Sequence, residues 1–375
     1  MCMINTAKGI SFAQERFPKD FAKTKYLLNY PQFWGYRLTE KAGAEGTYVG
    51  CHSYLWDWIQ GQWSSIAGEL GVSKLMPTKI NDSWDILGML SPEMVRRTGL
   101  SSDVVVTMGI HDSNSSLLPH FAKKGETGFI LNSTGTWCVI MNPVKKYGFS
   151  KDELGKVVFF NKSAFRTPVK TAIFLGGQEF ETWSKVLMAK HGRTDLPPYK
   201  SELYDDVLIK NDAFLMPELT AGSGQFPGSA PRVQEAGIEY TFEDIKSGKC
   251  LPPCFSDYER GIAVLRISLV MQTLVALERA GLEDGKEIFT EGGFRKNEAY
   301  NALLSTALPS NRIALTDIAE ATALGAAMTA KMALTGKKLA ELAADFEVEY
   351  KEVPKRAIPA LEKYRRTWLS LLGQA

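Results

Sequence analysis

The stretch Gly109-Ile110-His111-Asp112-Ser113-Asn114-Ser115-Ser116 places one carboxylate among small polar residues, shortly after the apolar run Val104-Val105-Val106. The three valines, which follow the turn-prone Ser101-Ser102-Asp103, predict a strand, and the Asp, Ser and Asn beyond them predict the mouth of a helix. Three further segments lie downstream: Asn132-Ser133-Thr134-Gly135-Thr136-Trp137, Glu291-Gly292-Gly293-Phe294-Arg295-Lys296-Asn297, and Glu320-Ala321-Thr322-Ala323-Leu324-Gly325-Ala326-Ala327. The reading of the fold rests on these four segments in this order.

Between them the pattern alternates. Phe129-Ile130-Leu131 and Trp137-Cys138-Val139-Ile140-Met141 are apolar runs around a polar, glycine-containing turn, which predicts a hairpin. A third run, Thr171 to Leu175, ends in Gly176-Gly177 and leads into a helical pattern through Trp183 and Leu187. Residues 217 to 233 are rich in Gly and Pro and read as a loop. From Tyr258 to Ala280, the residues Ile262, Leu265, Leu269, Leu274 and Leu277 recur at near-helical spacing and stop at Gly281, a helix C-cap residue. A short strand, Glu287 to Thr290, then precedes a double glycine and a helix through Leu303-Leu304. A strand from Arg312 to Leu315 and a helix from Glu320 to Leu334 follow. The result is an α/β chain with a three-stranded hairpin unit followed by helix, strand, helix, strand, helix. No internal repeat or low-complexity tract is present.

With 375 residues, two domains are the expectation. Composition is 45% hydrophobic and 23% charged, and 44 Lys plus Arg against 42 Asp plus Glu leave a net charge of +2. That balance lacks the basic excess of a dedicated nucleic-acid binder. The five cysteines Cys2, Cys51, Cys138, Cys250 and Cys254 form an odd set, and the lone Cys250-x-x-x-Cys254 has neither a second pair nor nearby histidines to complete a zinc site. Free thiols in a reducing cytosol are expected. The N-terminus lacks a charged-then-apolar signal pattern, and no uninterrupted apolar run approaches the ~20 residues that span a bilayer. A cytoplasmic protein without membrane contact is therefore expected, and homo-oligomerisation stays open.

Asp112 is the candidate general base. A carboxylate at a helix mouth is kept ionised by the dipole and free backbone donors, so it can accept a proton without being buried. The bland alternative is that it only caps the helix. The turn from Ser133 to Thr136 offers hydroxyls and backbone amides beside glycine, which suits a phosphate nest or an ordinary hairpin turn. Gly292 and Gly293, between a strand and a helix, let a ligand approach the backbone, although glycine is common in such turns. Among the small residues after Glu320, close packing of the helix against the sheet is the expected role. The aromatic-rich stretch from 30 to 58 offers rings for a sugar platform, but for Trp34 and Trp56 buried packing is the expected role. Neither a GxxxxGK[ST] loop nor a protein-kinase GxGxxG is present.

Taken in order, the four segments resemble the FGGY family of carbohydrate kinases, closely over roughly the last 270 residues and more loosely over the hundred before them. The GIHDS form is similar to the rhamnulose- and fuculose-kinase-like branches. The resemblance implies a ribonuclease-H-like, actin-like-ATPase-superfamily fold in a two-domain sugar kinase. Residues 1–107 would be the remnant of a first domain and 108–375 the second domain. It implies ATP-dependent phosphorylation of a small sugar or polyol, a ketose by the branch, with Asp112 as base and His111 and Ser113 lining the sugar. It assigns Thr136 to a phosphate and Gly293, Asn297 and Gly177 to the adenosine pocket. Mg2+ would arrive with ATP, since it keeps several waters and uses few protein carboxylates. Phe294 stands where the family often has a small residue, which predicts a narrowed adenine slot or a stacking ring. The Gly222-Ser223-Gly224-Gln225-Phe226-Pro227-Gly228 loop is similar to a glycine-rich loop near the family's cleft, or is a plain connector. The family's opening acidic-glycine strand turn has no counterpart before Asn5, so an incomplete first domain and a poor kinase are expected. The competing readings are a non-catalytic nucleotide- or sugar-binding remnant, and an actin-like or chaperone-type ATPase without a sugar substrate.

Overall fold

The run Phe129-Ile130-Leu131 is apolar without alternation because its strand is covered on both faces. Ile130 enters one core with Ile288, Ile313 and the helix Tyr258–Arg279, while Phe129 and Leu131 enter a second core with Phe289, Ala314, Leu117 and Leu118. Period-two alternation thus feeds two cores, as in sheets layered between helices. The structure is a computed structural model that describes residues 5–318, 320–346 and 348–374.

The central sheet has seven strands in the order Tyr350–Glu352, Arg312–Thr316, Glu287–Gly292, Phe129–Thr134, Cys138–Pro143, Pro168–Phe174 and Val158–Lys162. Strands 312–316, 287–292 and 129–134 are parallel to one another, and the other pairings are antiparallel. Register places Thr134 opposite Gly292 on one side and Cys138 on the other. The hairpin unit has one more strand than the sequence pattern suggested, because Val158–Lys162 adds to its edge.

Helices Asp112–Lys124 and Ala321–Thr335 pack together over one face of the sheet. Gly176–His191, Tyr258–Arg279 and Glu298–Ala307 cover the other. The helix Tyr258–Arg279 is long and apolar enough to cross a membrane by length and composition, yet 94% of that window is buried inside the fold. It is apolar all round because it is enclosed all round. Its end is set by Gly281, whose φ of 85° is costly for any other residue.

Several expectations are corrected. Residues 217 to 233 are not entirely loop, since Arg232–Glu235 is the middle strand of a small sheet with Ala213–Met216 and Ile238–Thr241. The small residues after Glu320 face a helix, not the sheet: Gly325 is pressed on Ser115, and Ala323, Ala326 and Ala327 are exposed. Trp34 is 52% exposed rather than buried. Trp56 is half-buried and stacks edge-on against Trp58 and Trp63. Among the described residues the four cysteines are all free, and Cys2 lies outside them.

Candidate functional site

The helix Asp112–Lys124 runs back to its strand Phe129–Thr134 through a four-residue connection, so the two are antiparallel. At 1.5 Å per helical residue and 3.3 Å per strand residue both span about 20 Å, which brings Asp112 level with the carboxyl end of the strand. Side chains agree with this register: His120 stacks on Phe289 at 5.1 Å, and Phe121 and His120 both meet Phe129 near the opposite end. Ligand sites of open sheets with parallel strands lie beyond those carboxyl ends.

The chain enters this helix from the strand Val105–Thr107 by a turn at Gly109, whose φ is 80°. The entry is pinned twice. The Gln32 side-chain amide donates to the Met108 carbonyl at 2.8 Å, and the His111 N–H donates to the Thr47 hydroxyl at 2.9 Å. Thr47 in turn donates to Glu45, whose carboxylate also accepts from the Thr47 N–H and the Ser83 hydroxyl. Burial pushes the Glu45 carboxyl above its ordinary value, and these hydrogen bonds oppose the shift. Glu45, Thr47 and Ser83 were not singled out in the sequence. The signal was a Glu two residues ahead of Thr at a helix start, where Glu45 caps the helix Gly46–His52.

The residue that caps Asp112–Lys124 is His111, with extended backbone and no side-chain cap bond, so capping does not account for Asp112. Asp112 is the first helical residue, and its side chain is 75% exposed. Its Oδ1 accepts from the Ser113 N–H at 2.7 Å and lies 3.3 Å from His111 Nε2. Ser113 is half-buried, and His111 is buried edge-on against Tyr48 at 5.4 Å. His111 therefore underlies the carboxylate more than it lines an open site.

Three turns meet at the carboxyl ends of the parallel strands. Gly135 and Thr136 are exposed at the hairpin tip. A Cβ on Gly177 would overlap the Gly135 carbonyl, and the Gln178 N–H donates to the Thr136 carbonyl at 3.2 Å, so the helix Gly176–His191 is seated on that tip. On the other side Gly292, with φ of 79°, is pressed against the Thr134 carbonyl. Gly293 has room, its nearest would-be Cβ neighbour being the Thr134 carbonyl at 3.5 Å. Of the two glycines, Gly292 serves the backbone and Gly293 borders open space.

Phe294 differs from expectation. It is buried against Phe180 and Tyr300, with centroids at 5.7 and 5.0 Å, so its ring is spent on the core and is not presented to a base. Asn297 caps the helix Glu298–Ala307 by accepting from the Tyr300 N–H. The 217–229 loop is ordered by two buried carboxylates. Glu179 accepts from the N–H groups of Glu218 and Leu219, and Glu218 accepts from those of Gly222 and Phe226. The arrangement offers an exposed carboxylate, an exposed turn at Gly135–Thr136 and a glycine-bordered space at one end of the sheet, which suits holding a phosphate-bearing ligand beside a hydroxyl. Among the described residues no group of three or more His, Cys, Asp or Glu side chains is placed to hold a metal ion.

The profile of the carbohydrate kinase FGGY C-terminal domain matches residues 126–338. No curated protein matches the chain. Among solved structures it is similar to a carbohydrate kinase from Novosphingobium aromaticivorans, with TM-score 0.75 and 24% identity over 99% of this chain and 73% of that one. It is also similar to ligand-bound xylulose kinase from Lactobacillus acidophilus, with TM-score 0.73 and 15% identity over 98% of this chain and 70% of that one. Glycerol kinase of Plasmodium falciparum with ADP gives TM-score 0.72 and 14% identity over 98% and 71%. These likenesses extend the shared fold across the residues that precede the matched domain. The match to more than half the sequence, on a sheet whose turns converge as described, identifies the chain as a member of the FGGY family of carbohydrate kinases.

Proposed function

We propose that this protein transfers the terminal phosphoryl group of ATP to a hydroxyl of a small sugar or polyol, a ketose, with Asp112 as the general base. The observation that carries the reading is the exposed Asp112 carboxylate, set level with the Gly135–Thr136 tip and the Gly292–Gly293 turn. As the acceptor oxygen bonds to phosphorus, the bond to the ADP oxygen breaks and the hydroxyl proton passes to the carboxylate. Both Ser113 hydrogen bonds fall on Oδ1, so Oδ2 is the oxygen assigned to the proton. Thr136 is assigned to a phosphate, and Gly177, Gly293 and Asn297 to the adenosine side. His111 and Ser113 orient the carboxylate at the sugar. Mg2+ is carried in by the triphosphate. The division between a sugar-side domain and the nucleotide domain is placed at residues 107 and 108, where the strand Val105–Thr107 still pairs outside the central sheet. A cytoplasmic site of action accords with the free thiols.

Asp112→Asn is expected to lower sugar-dependent ADP release by about 10²- to 10⁴-fold, the usual contribution of a positioned base. Sugar affinity measured by calorimetry should stay near wild type. Near-parental turnover in the folded variant would remove Asp112 from this role. ATP binding without sugar-dependent turnover in the wild-type chain would make the protein a nucleotide binder only.

A further inference from the structure

Thr134 ends the strand that carries the Gly135–Thr136 tip, and it is 1% exposed. A threonine at a strand end usually needs no explanation beyond β propensity. This hydroxyl, however, makes two hydrogen bonds to another segment. It donates to the Glu291 carbonyl at 2.5 Å and accepts from the Phe294 N–H at 2.9 Å. Those two groups bracket Gly292 and Gly293, so the backbone of the second turn closes around one side-chain oxygen. Gly292 is pressed on the Thr134 carbonyl, which leaves the turn no slack. On the far side, the Gln178 N–H fixes the Thr136 carbonyl.

We propose that Thr134 is a positioning residue that sets the spacing between the phosphate-side tip, 135–136, and the adenosine-side turn, 292–297, so that one nucleotide engages both. This rests on the functional assignment above and adds a residue that does not touch the ligand. Any replacement that keeps the shape but not the hydroxyl leaves the Glu291 carbonyl and the Phe294 N–H without this partner, and the turn relaxes away from the tip. The expected consequence is confined to ATP, because Asp112 hangs on a different set of contacts.

The test compares Thr134→Val, which keeps the branched shape, with Thr134→Ser, which keeps the hydroxyl, using Thr136→Ala and Gly293→Val as reference variants. Thr134→Val should weaken ATP binding by calorimetry and raise KM for ATP by about tenfold, the scale of one lost buried hydrogen bond. KM for the sugar should be unchanged, and Thr134→Ser should restore ATP binding to within about twofold. If Thr134→Val does not fold, Thr134→Ala provides the same comparison with Thr134→Ser. Wild-type ATP affinity in the hydroxyl-less variant, while Thr136→Ala and Gly293→Val weaken it, would overturn the positioning role and leave the site assignment standing. Unchanged ATP affinity in all of them would overturn both. Equal losses for Val and Ser, or a parallel loss for the sugar, would make Thr134 an ordinary packing residue and likewise overturn the proposal.

Discussion

At the scale of single residues, adjacent glycines carry different burdens. Gly292 has a φ of 79° and no room for a Cβ beside the Thr134 carbonyl, whereas Gly293 faces a gap. Gly292→Ala should therefore cost stability through left-handed strain and overlap together, roughly 1–3 kcal/mol. Gly293→Ala should melt within about a degree of wild type and show its effect in ATP affinity instead, since surface substitutions usually stay within ±0.5 kcal/mol. Paired thermal melts and nucleotide titrations check this, and equal melting losses for both variants would remove the distinction. The sequence showed that a strand, two glycines and a helix meet at this point. It could not show which glycine is structural, because that depends on Thr134, which is remote in the chain and opposite in the sheet. The same limit explains Phe294: beside a double glycine its ring reads as a pocket residue, and only the fold brings Phe180 and Tyr300 against it. Asp112 was legible as a candidate because the local run of polar residues defines a helix mouth without long-range information.

At the scale of elements, the helix that carries Asp112 is held by an unusually close neighbour. Pro119 lies inside it and has no N–H for the Ser115 carbonyl, and Gly325 of Ala321–Thr335 packs against that same carbonyl. The Ser115 hydroxyl donates to the Thr322 carbonyl at 2.7 Å and closes the contact. A Cβ at 325 would overlap Ser115, so Gly325→Ala should push the helices apart at a cost of roughly 1–3 kcal/mol. Since Ser115 lies one turn from Asp112, turnover should fall beyond what lost folding explains. Ala326→Ser, at an exposed position, should leave both melting temperature and turnover alone. A wild-type melting temperature for Gly325→Ala would contradict this account. The elements with long apolar runs, such as the strands starting at 129 and 287 and the helix from 258, were readable because one periodicity dominates each. The sheet of 213–216, 232–235 and 238–241 was not, since its strands are four residues each and two of them flank a Gly- and Pro-rich loop that weakens any periodic signal.

At the scale of the whole molecule, pH should act on stability through a carboxyl group buried between the helices Gly176–His191 and Tyr258–Arg279, on the side of the first core. Glu179 sits in the first turn of Gly176–His191, two residues beyond the glycine seated on the hairpin tip. It accepts from the Glu218 and Leu219 N–H groups and, at 3.0 Å, from the Gln272 side-chain amide. Burial outweighs these donors and pushes its pKa up to about 7 from an ordinary 4.5. A carboxyl raised in the folded state holds its proton there after the unfolded chain has released it. Its stabilising contribution is therefore complete below pH 4.5, declines as pH rises, and is lost once pH has passed through about 7. At 1.36 kcal/mol per pH unit this amounts to roughly 3 kcal/mol across the window. Glu45, also raised by burial, acts in the same sense. Glu179→Gln removes the titration, and its oxygen can still accept from residues 218 and 219, provided the Gln272 amide turns to present its own oxygen to the new N–H group. Urea unfolding at pH 5 and pH 8 should then show wild type losing clearly more stability on alkalinisation than Glu179→Gln, whose smaller slope reflects Glu45 and the remaining groups. The two proteins losing stability in parallel between those values would show that Glu179 is ionised throughout and that its three donors, not its burial, govern the charge.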